Sequence, residues 1–216
     1  MANKNEDKEI LRELREIAKT KENWGEVIDD VANKLNENHS VIVKAKILWL
    51  LGEMGLNYPK QVEAYIIDIA FCLDDEHSKI RERAVNALGR IGRADKNLII
   101  PYFDKIMKMR KDQADDVRLA FVWACENIAT NAPELFCERI DLFYKMIQDK
   151  CVRVRIEAPE MFRVMGKRKP QYIKPYLEKL QWFADNDTHP VVRIHSAGAV
   201  RITKKALEEL KNATDD

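Results

Sequence analysis

The 216 residues carry 37 Lys/Arg against 36 Asp/Glu, so no global field draws this chain to nucleic acid or to an anionic membrane surface. Apolar residues make up 46% of the chain, enough for a core, and with only 7 Gly and 7 Pro the mixture favours helices over a β-rich or disordered chain. The opening MANKNEDKEI lacks the apolar centre of a secretory signal, and no apolar run nears the roughly 18 residues needed to span a bilayer.

In chain order, residues 6–19 (EDKEILRELREIAK) predict a lone amphipathic helix that caps the N-terminal end of a helical stack. The rest of the chain repeats. An apolar residue followed by a base stands at Val43-Lys44, Ile80-Arg81, Val117-Arg118, Val154-Arg155 and Val192-Arg193, steps of 37, 37, 37 and 38. Five residues before the apolar member of each pair stand Asn38, Asp75, Asp112, Asp149 and Asp187. Twelve after it stand Gly55, Gly92, Ala129, Gly166 and Lys204; sixteen after it stand Pro59, Lys96, Pro133 and Pro170. Proline suits the first turn of a helix and glycine the closing residue of one, so each period predicts two antiparallel helices, A and B, with Gly55, Gly92 and Gly166 ending B helices in a left-handed conformation. The expected A/B pairs are 22–36/40–55, 59–73/77–92, 96–110/114–129, 133–148/150–166 and 170–185/189–210. The units 22–55, 59–92, 96–129, 133–166 and 170–210, with the cap 6–19, are expected to form one domain over 1–216. Pro159 interrupts the fourth B helix, where a kink is expected.

Counting the apolar member of the pair as zero, positions 0, 4, 7, 8 and 11 of B are apolar: Ile80, Ala84, Ala87, Leu88 and Ile91, then Val117, Phe121, Ala124, Cys125 and Ile128. They share one helical face that a single hairpin cannot bury and stacked copies can.

The run Asp75, Ile80, Arg81, Ala84, Ala87, Leu88, Gly89, Gly92 resembles the HEAT repeat. The resemblance covers about residues 22–205; Gly52 keeps the first glycine, and Glu126, Arg163 and Arg201 replace it. It implies an all-α fold, a right-handed α-α superhelix of about five hairpins. It also implies that the Asp and Arg columns tie adjacent units together, and that the B helices line a concave groove. HEAT proteins are mostly scaffolds and adaptors, so the implied function is non-enzymatic binding of a protein or peptide.

The residues free of the repeat are those opposite the apolar B face, at positions 2, 6, 9 and 13. They supply the candidate partner-binding set: Trp49, Leu119, Trp123, Glu126, Ile156, Glu160, Arg163, Ile194 and Arg201. Exposed aromatics beside arginine are typical binding anchors; the competing reading is that Trp49 and Trp123 pack sideways on neighbouring B helices. Residues 150–205 hold 13 Lys/Arg against 5 Asp/Glu, a basic end able to meet phosphate or an acidic partner. The alternative function is therefore DNA binding, or a repair enzyme resembling the alkylpurine DNA glycosylases, with Trp123 as aromatic shelf and Glu126 or Glu160 as carboxylate.

Catalytic and metal signatures are absent from the sequence. No phosphate-binding glycine loop, HExxH or CxxC occurs, and the histidines (His39, His77, His189, His195) show no shared metal-ligand spacing. No cofactor and no metal are expected. Cys72, Cys125, Cys137 and Cys151 read as free thiols of a cytoplasmic protein.

Overall fold

The computed structural model describes residues 4–215, and every regular element among them is helical. The chain divides into two compact units, Met1–Asn127 and Ile128–Asp216.

The first unit opens with α1 (Lys4–Ile17) and α2 (Trp24–Asn33). The buried Trp24 fixes them together: its indole Nε1 donates to the Ile17 carbonyl at 2.7 Å, satisfying a helix-end acceptor while the ring enters the core. The partner of α2 in the first hairpin is α3 (Val41–Asn57). Two further A segments, α4 (Pro59–Val62) with α5 (Ile66–Phe71), and α7 (Phe103–Lys108), are followed by the B helices α6 (Ser78–Ala94) and α8 (Asp115–Asn131). The boundary between the units falls inside α8.

The second unit holds α9 (Ile140–Met146), α10 (Val152–Arg168), α11 (Pro170–Ile173), α12 (Leu177–Asn186) and α13 (Pro190–Asp215). Its core gathers Phe136, Phe143, Val154, Met161, Phe162, Met165 and Leu180, with Phe136 and Phe143 edge to face at 6.0 Å. Each such buried side chain contributes about 1.5–3 kcal/mol. Helix α10 runs unbroken through Pro159, whose missing N–H leaves the Arg155 carbonyl without its usual intrahelical donor.

Two expectations change. The A segments are not single α-helices but short helical pieces joined by 3-10 turns, such as Glu63–Tyr65 and Lys174–Tyr176. Pro101 and Pro175 lie within two of these turns, where no i to i−4 bond can form through them. More important, the glycines do not close helices: no described glycine has positive φ, and α3, α6 and α10 run on past Gly55, Gly92 and Gly166. What they provide is room. A Cβ on Gly52 would lie 2.7 Å from the Ala87 Cα, and one on Gly89 would lie 2.5 Å from the Ala124 Cα. In the second unit a Cβ on Gly166 would meet Thr203 Oγ1 at 2.0 Å. In the first unit neighbouring B helices therefore touch backbone to backbone, glycine against alanine, while in the second Gly166 makes room for the Thr203 side chain.

The aspartate column is a turn device. Asp75, Asp112, Asp149 and Asp187 each accept, through Oδ1, the N–H two residues on, all at 2.8 Å. The arginine column closes the preceding A segment: Nη1 of Arg81, Arg118 and Arg193 donates to the carbonyls of Asp75, Asp112 and Asp187 at 2.8, 2.9 and 2.7 Å. Arg81 also forks onto the next hairpin's aspartate, with Nε 2.7 Å from Asp112 Oδ2 and Nη2 2.9 Å from Oδ1. Burial works against the Asp112 carboxylate, but the Arg81 guanidinium and the Ala114 N–H outweigh it and hold the carboxyl below its usual range.

Gly89→Ala is expected to destabilise by about 1–3 kcal/mol through overpacking, whereas Gly198→Ala, with nothing within 4 Å of the added Cβ, should stabilise by about 0.5–1 kcal/mol. Urea midpoints of the two variants measure the contrast. Because the folded pKa of Asp112 lies below its unfolded value of 3.8, the rung's contribution is complete above that pH and is lost as pH falls below it through the folded pKa. Asp112→Asn should cost roughly 2 kcal/mol at neutral pH, and the difference from the native chain should shrink in urea titrations below that pH.

Candidate functional site on the B helices

In the first unit, Trp49 is half-buried on α3 and borders a cleft of about 340 Å³ with Ile42, Ala45 and Lys46 of the same helix and Lys79 and Arg83 of α6. The Lys46 ammonium sits 3.8 Å from the Trp49 ring centroid, a cation–π contact. Ile42 stands 68% exposed at the rim. The buried Glu82 carboxylate answers the cations only in part: Lys79 Nζ lies 2.6 Å from its Oε2 and Arg83 Nε 3.9 Å from its Oε1. Burial and the nearby charges of Arg15 and Arg83 push the Lys46 amine below its ordinary value, with Glu53 opposing them.

Trp123 and Glu126 are half-buried on α8, and the Trp123 carbonyl accepts from Asn127 Nδ2 at 2.9 Å. Leu119 departs from the expectation of a surface residue. At 2% exposure it belongs to the core. Ala45 and Glu82, at the same repeat position, are buried as well. On α3 and α6 positions 2 and 9 (Ala45, Gly52, Glu82, Gly89) are buried, with the glycines drawing the backbones together, so the open face of these two helices is turned by about 60° from the one the wheel predicts. On these two helices positions −1, 3, 6 and 10 hold it instead, whereas on α8 position 3 is the buried Ala120. Ile42 with Lys79, Lys46 with Arg83, and Glu53 with Arg90 (2.8 Å apart) are three such pairs.

In the second unit, Ile156, Glu160 and Arg163 follow one another along α10, and α13 supplies Ile194 and Arg201. Glu160 is paired with Arg163. His195, absent from the sequence-derived set, joins them. Its Nδ1 donates to the Ile156 carbonyl at 2.8 Å and lies 3.7 Å from Glu160 Oε1. Ile194 is 66% exposed and Arg201 is exposed. The second unit thus brings its candidates onto adjacent B helices, whereas in the first unit α6 stands between Trp49 on α3 and Trp123 on α8. Sequence spacing placed His195 in a separate repeat from Ile156, but residues at equivalent positions of adjacent B helices are neighbours, and 195 follows 156 by 39 residues.

Among the described residues no group of His, Cys, Asp and Glu is placed to hold a metal ion, and no helix is long and apolar enough to cross a membrane.

No protein-family model and no curated protein matches the sequence. Solved structures do. A designed armadillo repeat protein in complex with the peptide (KR)4 aligns with a TM-score of 0.64 at 18% identity, covering 89% of this chain and 86% of that one. Computationally designed armadillo repeat proteins for modular peptide recognition align with a TM-score of 0.58 at 17% identity, covering 80% of each chain. The Pds5–Scc1 complex aligns with a TM-score of 0.56 at 22% identity, covering 81% of this chain but 27% of that one. The fold is thus an all-α helical repeat of the armadillo/HEAT kind.

The lowered Lys46 pKa is open to direct measurement. After reductive methylation with carbon-13, the Lys46 dimethylamine is expected to titrate below the ordinary lysine value, and Arg83→Ala should move it back up.

Proposed function

We propose that the chain is a non-enzymatic repeat scaffold that binds a protein or peptide segment on the open faces of its B helices. The observation that carries this reading is the Trp49 cleft: an indole under an ammonium group, a strongly exposed isoleucine at the rim, and three cations set against one buried carboxylate. A flat aromatic floor gives an apolar anchor something to pack on, and partly unanswered positive charge selects acidic flanks. The favoured partner is therefore an acidic segment bearing one bulky apolar residue. Trp123 and Glu126 in the first unit extend the same role, as do Ile156, Glu160, Arg163, Ile194 and Arg201 in the second.

Similarity of fold to designed peptide-binding repeats supports the general mode and says nothing about the particular partner. The four free thiols, Cys125 among them fully buried, fit the cytoplasmic placement that belongs to this reading. The repair-enzyme alternative draws no support from Glu160, which is held by Arg163 with His195 close by.

Peptides selected from a random display library should be enriched in Asp or Glu beside an apolar residue, and Trp49→Ala should weaken the best of them by about 2 kcal/mol, the size of an anchor loss. Selected peptides that bind Trp49→Ala and Lys46→Ala undiminished would remove the cleft from the interface. Duplex DNA bound at low salt, with affinity falling steeply as salt rises, would favour the nucleic-acid reading instead.

A further inference from the structure

The second unit contains a larger cavity that the B-helix reading does not use. It has a volume of about 730 Å³ and lies among α9, α12 and the turn entering α13. Tyr144, Ile147, Trp182 and Phe183 form its apolar walls, and Arg155 and Lys179 bring positive charge. The aromatic rings form one cluster: Tyr144 and Phe183 pack edge to face at 6.0 Å, Phe183 and Trp182 at 5.2 Å. Trp182 is nevertheless 59% exposed, a costly position for an indole with nothing bound.

The repeat shows what is unusual here. At the equivalent place in the first unit, Arg81 forks onto Asp112, the aspartate of the following hairpin. The same pairing at this place would join Arg155 to Asp187. Both residues line the cavity, yet among the described residues no ion pair joins them. Arg155 keeps one long contact, Nη1 to the Asp149 carbonyl at 3.5 Å, while Asp187 Oδ1 is turned into its own loop to accept the His189 N–H. Lys44 also fails to pair with Asp75, but lysine lacks the planar fork that makes such a rung; at Arg155 fork and acid are both present and the rung stands open.

We infer that this cavity binds a small organic anion with a flat apolar body, of which an aromatic carboxylate is the simplest member. Its volume is in the range of ligand sites, roughly 300–1,000 Å³. Trp182, Phe183 and Ile147 take the apolar body, and the open guanidinium of Arg155 takes the carboxylate in the two-pronged geometry that Arg81 uses for Asp112. The Lys179 ammonium already occupies the Tyr144 ring face, 4.7 Å from its centroid and 5.2 Å from that of Tyr176. That ammonium adds a second positive charge at the rim. Two carboxylates also line the cavity: Glu178 is exposed to solvent, and Asp187 accepts the His189 N–H, as Asp112 accepts that of Ala114, but forms no ion pair with Arg155.

The test uses naphthylacetate, naphthylacetamide and naphthylmethylamine as probes, followed by the NMR signal of the Trp182 indole N–H, assigned with Trp182→Phe. Naphthylacetate should shift that signal saturably, the amide should bind about ten-fold more weakly because it forfeits a charge-assisted contact, and the amine should bind more weakly still. Arg155→Gln should remove most of the difference between acid and amide, and Arg155→Lys should restore part of it. Absence of a saturable shift at Trp182, or equal affinity of the native protein for acid and amide, overturns the proposal. The comparison within the native protein stands even if the Arg155 variants do not fold.

Discussion

Backbone contact between successive B helices is the constraint on which the other features of this molecule depend. Gly52 lies against Ala87 and Gly89 against Ala124, distances at which a methyl group on the glycine would collide with main chain rather than with a pliable side chain. Interiors are packed at crystal-like density and do not yield to such an intrusion without moving a helix. Small residues at these points set how near one B helix comes to the next. The apolar positions Ile80, Ala84, Leu88 and Ile91, or Val117, Phe121, Cys125 and Ile128, then fill the space beneath.

The same constraint decides which side chains reach solvent. Where backbones touch, the flanking positions are sealed. Leu119, Ala45 and the aliphatic stem of Glu82 are therefore enclosed although a helical wheel puts them outside. The open face moves round to Ile42, Lys46, Trp49, Lys79 and Arg83. Lys46 shows the electrostatic consequence: an ammonium partly desolvated, lying on an indole, with Arg83 close enough to depress its pKa. Such a group gains more from an incoming carboxylate than a fully solvated lysine would.

At the turns, a second set of rules operates. Aspartate shapes the loop through an Asx turn and arginine closes the end of the A segment, and these two tasks are met in unit after unit. The rung between hairpins is a separate, third task, closed by Arg81 with Asp112 and left open between Arg155 and Asp187. Because the first two tasks already secure the local fold, the third can be given up without loss of the turn. The aromatic cavity lies where it has been given up.

Local order was legible in the sequence because helix start, helix face and turn chemistry are short-range properties. A single 37-residue ruler aligned Ile80-Arg81 with its copies, placed the B helices to within a residue or two at α3, α6 and α10, and set Asp75, Asp112, Asp149 and Asp187 in one column, whose turn bonds only the structure showed. Glu160 and Arg163, three apart on one helix, are within reach of each other by helix geometry alone, and they pair. What the sequence left undecided depended on how near one helix comes to the next, which no single helix encodes. That distance turned Gly55, Gly92 and Gly166 from helix-closing residues into residues within helices, sent Leu119 into the core, and brought His195 to the Ile156 carbonyl. It also determined that Arg155 and Asp187, alike in sequence to a closed pair, would stand apart beside Trp182 and Tyr144. Periodicity names the residues that face a neighbour; only the packed tertiary structure fixes whether they meet.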